Sequence, residues 1–174
     1  MSASIKALTL EEFLSWERAQ PLRYEFDGIQ PVAMTGGSPR HGLVIARLIT
    51  AASIRVPSPC DVYASEVKVI GNDRVRYPDV TIACGPQEEA DSIQPTIVFE
   101  VLSPSTSLTD RRVKPYEYRL MPSILAYVIV SQDEPVATIL RRSADWQEEA
   151  FQGLDAVLPL PEVGIKIPLA ELYR

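Results

Sequence analysis

The chain has 174 residues, 46% of them apolar, with a net charge of −6, fifteen prolines and two cysteines. That length supports one domain with a substantial core, read as residues 1–174, and the composition excludes a disordered chain. The negative charge excludes an extended basic coat of the kind that gives tight non-specific DNA binding, though not a local basic patch.

The first six residues lack the apolar core of a signal peptide, and no apolar run approaches the roughly 20 residues needed to span a bilayer. Cys60 and Cys84 have no CxxC spacing and read as the thiols of an intracellular protein rather than as a disulfide. A cytoplasmic protein is expected.

Thr9 with Glu12 forms a capping box, and Leu10, Phe13, Leu14 and Trp16 follow at helical spacing, so a short helix should end before Pro21. Residues 23–28 read as a strand and turn, with Gly28 supplying positive φ, and residues 30–34 as the returning strand. Leu43, Val44, Ala46, Leu48, Ile49 and Ala52 predict a second helix from His41 to about Ile54. Residues 62–70 read as one strand or two short ones before a turn at Gly71-Asn72-Asp73. Two apolar strands follow, residues 76–84 and 95–102, joined by the polar stretch 85–94. Residues 107–120 carry helical spacing, in which Pro115 must either kink the helix or sit near a helix start. Residues 124–130 read as a buried strand, 136–140 and 146–151 as a hairpin, and the tail as a short helix near residues 169–172.

Asp79 and Glu100 stand inside the two apolar strands, where acids are scarce because a carboxylate sits badly on a half-buried pleated surface. Burial of an unpartnered carboxylate costs several kcal/mol or forces it to take up a proton. Two such acids in adjacent strands, with Lys114 downstream, point to a hard cation as the partner; Mg²⁺ (or Mn²⁺) suits two carboxylates, a backbone carbonyl and waters. Glu25 reads equally as a further carboxylate of that site or as the exposed side of a hairpin. A salt bridge from Glu100 to Arg74 or Arg76 is the structural alternative. A lone histidine cannot make a zinc site with two distant cysteines. His41 therefore reads as a phosphate contact or as part of a helix start. Arg111, with Arg112, reads as a second phosphate contact or as a solvated helix face. Ser103 and Ser105 lack a nucleophile-elbow pattern and read as a turn that caps the next helix.

Tyr77-Pro78-Asp79-Val80, the run from Phe99 to Thr106, Asp110, Lys114 to Tyr118 and Tyr127 to Val130 resemble the putative restriction endonuclease family of the PD-(D/E)XK nuclease superfamily. Tyr24-Glu25, Asp27-Gly28 and His41 extend the resemblance to most of the chain. It implies an α/β restriction-endonuclease-like fold, a central mixed β-sheet flanked by helices, with divalent-metal nuclease chemistry. Asp79, Glu100 and the Val101 carbonyl would then hold the metal, while Glu25 supports the site. The superfamily's usual lysine, two residues after the acid, is Leu102 here, and the resemblance implies Lys114 as its replacement. The expected function is phosphodiester hydrolysis, with DNA as the nucleic-acid partner. A homodimer is a further expectation, because cutting two strands calls for two sites. The alternative is a degenerate member that binds without cutting.

Overall fold

The computed structural model describes residues 7–34, 36–87, 92–103 and 107–173. The first half runs α1 (Leu10–Glu17), β1 (Tyr24–Phe26), β2 (Pro31–Ala33), α2 (Pro39–Ser53), β3 (Cys60–Ala64), β4 (Lys68–Gly71), β5 (Arg74–Arg76) and β6 (Val80–Cys84). The second half runs β7 (Ser92–Ile93), β8 (Ile97–Leu102), α3 (Ser107–Arg112), α4 (Lys114–Arg119), β9 (Ala126–Ser131), β10 (Val136–Arg141), β11 (Glu148–Gln152), β12 (Val157–Leu160) and β13 (Ile165–Pro168).

A six-stranded sheet of order β11-β10-β9-β8-β6-β3 forms the centre. It is mixed: β8 and β9 pair in parallel, and the other neighbours pair antiparallel. Strand alternation divides its two faces. Ile97, Phe99 and Val101 of β8, with Val80 and Ile82 of β6, pack against Val44, Leu48, Ala51 and Ala52 of α2. On the other face Val98 meets Tyr118, Ile124, Tyr127 and Ile129. Glu100 has the parity of Val98 and so belongs to this second face.

A second sheet of order β2-β1-β5-β4-β7 lies beside the first. Phe26 and Val75 from it join Phe13 of α1, and the Phe13 and Phe26 rings stack at 4.7 Å. The capping box forms as the sequence predicts: Thr9 accepts from the Glu12 N–H at 3.1 Å, and Glu12 accepts from the Thr9 N–H at 2.8 Å. Gly28 takes φ +91°, and Asp27 Oδ1 accepts from both Ile29 and Gln30, which closes the β1–β2 turn.

Several expectations need correction. The run 76–84 is not one strand: it breaks at Tyr77-Pro78-Asp79, where the chain leaves one sheet and enters the other. Pro78 has no N–H for a ladder, so the break falls there. The second helix begins at Pro39, not at His41, because Ser38 accepts from the His41 N–H and Pro39 fits the first turn. The β12–β13 hairpin has no counterpart in the expected elements, because Pro159, Pro161 and Gly164 interrupt its strand pattern; its Leu158, Leu160, Ile165 and Ile167 complete the α2 side of the core. The tail helix is a single 3₁₀ turn, Leu169–Glu171. Cys60 and Cys84 are not free thiols but a disulfide. Pairing of β3 with β6 sets them directly opposite one another, a register that residue spacing does not reveal. The capping reading of Ser105 lies outside the described residues.

Leu48 is fully buried where α2 meets the central sheet. Leu48→Ala is expected to lower unfolding free energy by about 2–5 kcal/mol, measured by urea denaturation. A loss below about 1 kcal/mol would show that this contact does not hold α2 to the sheet.

Candidate active site

The break at Pro78 sets the geometry of the site. Val80 pairs with Phe99, so one step further out the register sets Asp79 against Glu100. Asp79 turns toward β8, and its Oδ2 accepts the Val101 N–H at 2.7 Å. Glu100, 4% exposed, is reached by the Lys114 ammonium at 2.7 Å and the Tyr118 hydroxyl at 3.3 Å, both on Oε1.

Lys114 is the first residue of α4, with Pro115 in the first turn, where the missing N–H costs no helical bond. The expected Pro115 disruption is therefore a boundary between two helices. Lys114 also lies 3.0 Å from Asp110 Oδ1 and 3.7 Å from Glu25 Oε1. One ammonium thus serves three carboxyl groups. Burial works to lower the Lys114 pKa, but Glu100, Glu25 and Asp110 more than offset it, and the ammonium is held above its usual value. Burial pushes the Glu100 carboxyl well up; Lys114 opposes that shift, while Asp79, Asp110 and Glu25 add to it. The cluster carries more negative charge than its lysine neutralises.

Glu25 comes from β1, in the other sheet. Its Oε2 accepts from Arg76 Nη1 at 2.9 Å, and its Oε1 accepts from the Tyr77 N–H at 3.3 Å. Its side chain is 15% exposed and lines the same cleft, so it is not the exposed side of a hairpin. Arg76 makes a two-pronged contact with Glu117 of α4, both bonds at 2.8 Å, and Arg74 meets the same carboxylate at 3.0 Å. Both arginines that were candidates to pair with Glu100 are thus on Glu117, and Glu100 is left to Lys114 and Tyr118. Glu117 was not among the expected site residues, although its place three residues after Lys114 puts it on the same helical face.

His41 Nε2 lies 2.9 Å from the Val101 carbonyl oxygen and 3.4 Å from Asp79 Oδ2. A carbonyl only accepts, so Nε2 carries the proton. His41 thus braces Asp79 and Val101, a placement that neither the phosphate reading nor the helix-start reading anticipated. Gly37 leaves room for the imidazole: a Cβ there would meet Nδ1 at 2.5 Å. Gly37 and His41 line one cleft of about 630 Å³ with Glu25, Arg76, Asp79, Glu100, Asp110 and Lys114 on its wall. Arg111 is not among them; it is exposed on the outer side of α3.

The chain matches the Uma2 family, described as "Putative restriction endonuclease", over residues 10–170. It belongs to that family. In Synechocystis sp. (strain ATCC 27184 / PCC 6803 / Kazusa), the protein named "Uncharacterized protein slr1290" is 30% identical, over 99% of this chain and 95% of that one. A second protein of that organism, "Uncharacterized protein sll1609", is 24% identical over 75% of this chain and 78% of the other. A crystal structure from Anabaena variabilis ATCC 29413, described as a putative nuclease belonging to DUF820, superposes with a TM-score of 0.74. It is 19% identical and covers 95% of this chain and 97% of its own, which shows the fold: a central mixed sheet flanked by helices. Against the superfamily pattern, this Uma2 chain places an apolar Leu102 where a lysine is usual, and the ammonium reaches Glu100 from α4 instead.

The His41 pKa is raised, first by its hydrogen bond to Asp79, against an opposing effect of burial. A raised folded-state value means that this contact stabilises the fold fully below the unfolded value near 6.5 and that the contribution fades as pH climbs through the folded value. In an NMR titration of this single histidine, Asp79→Asn should move the midpoint downward. An unmoved midpoint would show that Asp79 is not its electrostatic partner.

Proposed function

We propose that this Uma2 protein is a metal-dependent endonuclease that hydrolyses phosphodiester bonds in DNA, using Mg²⁺ or Mn²⁺. The observation that carries the reading is the convergence of Asp79, Glu100 and Lys114 in one cleft, where Asp79 also accepts the Val101 N–H of the Glu100 strand. Among the described residues, no three His, Cys, Asp or Glu side chains are grouped as a metal site. Asp79, Glu100 and Val101 instead offer two carboxylates and one carbonyl, all hard oxygens, which fits an ion that takes few protein ligands and keeps much of its water. The surplus negative charge around Glu100 supports the fit.

Asp79 and Glu100, with Val101, would hold the ion. When bound, it supplies a more acidic water and a polarised phosphoryl oxygen. Lys114 keeps its proton and sets a fixed positive charge beside the position where negative charge develops on the phosphoryl group. His41 fixes the Val101 carbonyl and the Asp79 carboxylate, so neither donor must be ordered when substrate arrives. Arg76 pins Glu25 and, through Glu117, the helix that carries Lys114.

A second reading, a binding module that no longer cuts, is favoured by one contact: Lys114 at 2.7 Å already gives Glu100 an internal cation. Two measurements separate the readings. Purified protein with supercoiled plasmid and Mn²⁺ should nick it; Glu100→Ala should not, and Lys114→Ala should be slower by about 10²- to 10³-fold. Nicking by native protein and Glu100→Ala alike would implicate a contaminant, and nicking by neither would favour the binding module. Saturating Mg²⁺ should stabilise the native fold by about 3 kcal/mol at a hundred times its dissociation constant, and Asp79→Ala should remove that gain.

A further inference from the structure

The outer side of the α3–α4 wall carries a chemistry that the cleft does not use. Across residues 107–120 both acids, Asp110 and Glu117, are buried, as is Lys114. Arg111, Arg112 and Arg119 are exposed. On a chain of net charge −6, this is a local basic strip with no exposed acid among its own residues. Apolar side chains lie among the arginines: Leu108 is 68% exposed, Tyr116 66% and Leu120 63%. The Arg119 guanidinium sits 5.9 Å from the Tyr116 ring centroid, which gives that ring a cationic neighbour. The strip adjoins the cleft, because Thr109, Asp110, Val113 and Lys114 of the same helices line it.

We infer that this face binds a single nucleic-acid strand, phosphates on Arg111 and Arg112 and a base on Tyr116, and leads it to the cleft. The inference rests on the nuclease reading of that cleft and narrows its substrate class. Charge complementarity selects a polyanion, and the exposed ring selects an unpaired one. In a duplex the base faces are stacked on each other, and Tyr116, Leu108 and Leu120 would gain nothing from it. A single strand offers a π-face at each base and phosphates spaced along one line, which suits three arginines better than the two backbones of a duplex.

The test is fluorescence anisotropy of labelled oligothymidylate and oligouridylate strands, and of the thymidylate strand annealed to its complement, in EDTA. Either free strand should bind more tightly than the duplex, and the tighter of the two identifies the sugar. Tyr116→Ala should weaken strand binding by roughly 5- to 150-fold while Tyr116→Phe keeps it. Arg111→Ala with Arg112→Ala should flatten the log–log salt dependence by about 1.4, the single-strand value for two phosphate contacts. Tighter binding to the duplex, no binding of any probe, or an unaffected Tyr116→Ala would overturn the inference. Neither metal nor cutting enters this measurement, so strand binding with no Mn²⁺-dependent cleavage of either that strand or the plasmid would sink the endonuclease reading alone. Plasmid nicking with preferred duplex binding would sink this one alone.

Discussion

A single buried ammonium shared by three carboxyl groups organises this protein. Lys114 sits among Glu100 of the central sheet, Glu25 of the smaller sheet and Asp110 of the preceding helix. Charges removed from water are tolerable only when each is answered at close range, and breaking one such partner is worse than never having buried the pair. The sheets and helices must therefore meet in one arrangement for the charges to be satisfied at all. Arg76 extends the constraint, tying Glu25 to Glu117 so that the smaller sheet and α4 are joined by the same set of charges. The break at Pro78 belongs to the same constraint, since it lets nearby residues serve both sheets: Arg76 on one side and Asp79 on the other.

The electrostatics also separate the two signs of charge within an acidic chain. Within α3 and α4 the acids face inward and the arginines outward. The cleft is left with excess negative charge, which favours a cation there, while the rim beside it is positive. Neither feature needs a basic protein overall. Net charge governs long-range steering, whereas contact is decided within about a Debye length, roughly 8–10 Å at physiological salt.

The sequence made some of this legible for physical reasons. Acids within apolar runs are conspicuous because that placement is costly, so Asp79 and Glu100 stood out. Apolar runs bounded by turns marked most of the strands, and the family resemblance implied that they form a central mixed sheet. Pairing across the chain was not legible. That Cys60 faces Cys84, that Arg76 reaches Glu117 rather than Glu100, and that His41 braces the Val101 carbonyl are all consequences of register and docking between distant segments. The β12–β13 hairpin was hidden for another reason: its prolines and glycine mask a strand pattern that only burial against α2 makes favourable.

An ammonium carried on α4 is controlled differently from one carried on β8. On β8 a side chain would be fixed by the sheet ladder, which is rigid. On α4 it is fixed by a six-residue helix whose anchors are the Glu117 contacts with Arg74 and Arg76 and the buried Tyr118. That helix also carries Tyr116 and Arg119 on its opposite face. A six-residue helix has little stability of its own, so a ligand that orders its outer face also orders the residue at its first turn. A strand laid across Tyr116 would steady Lys114 against Glu100, linking occupancy of the outer face to the geometry inside the cleft. A lysine two residues after the acid on β8 would have no such connection.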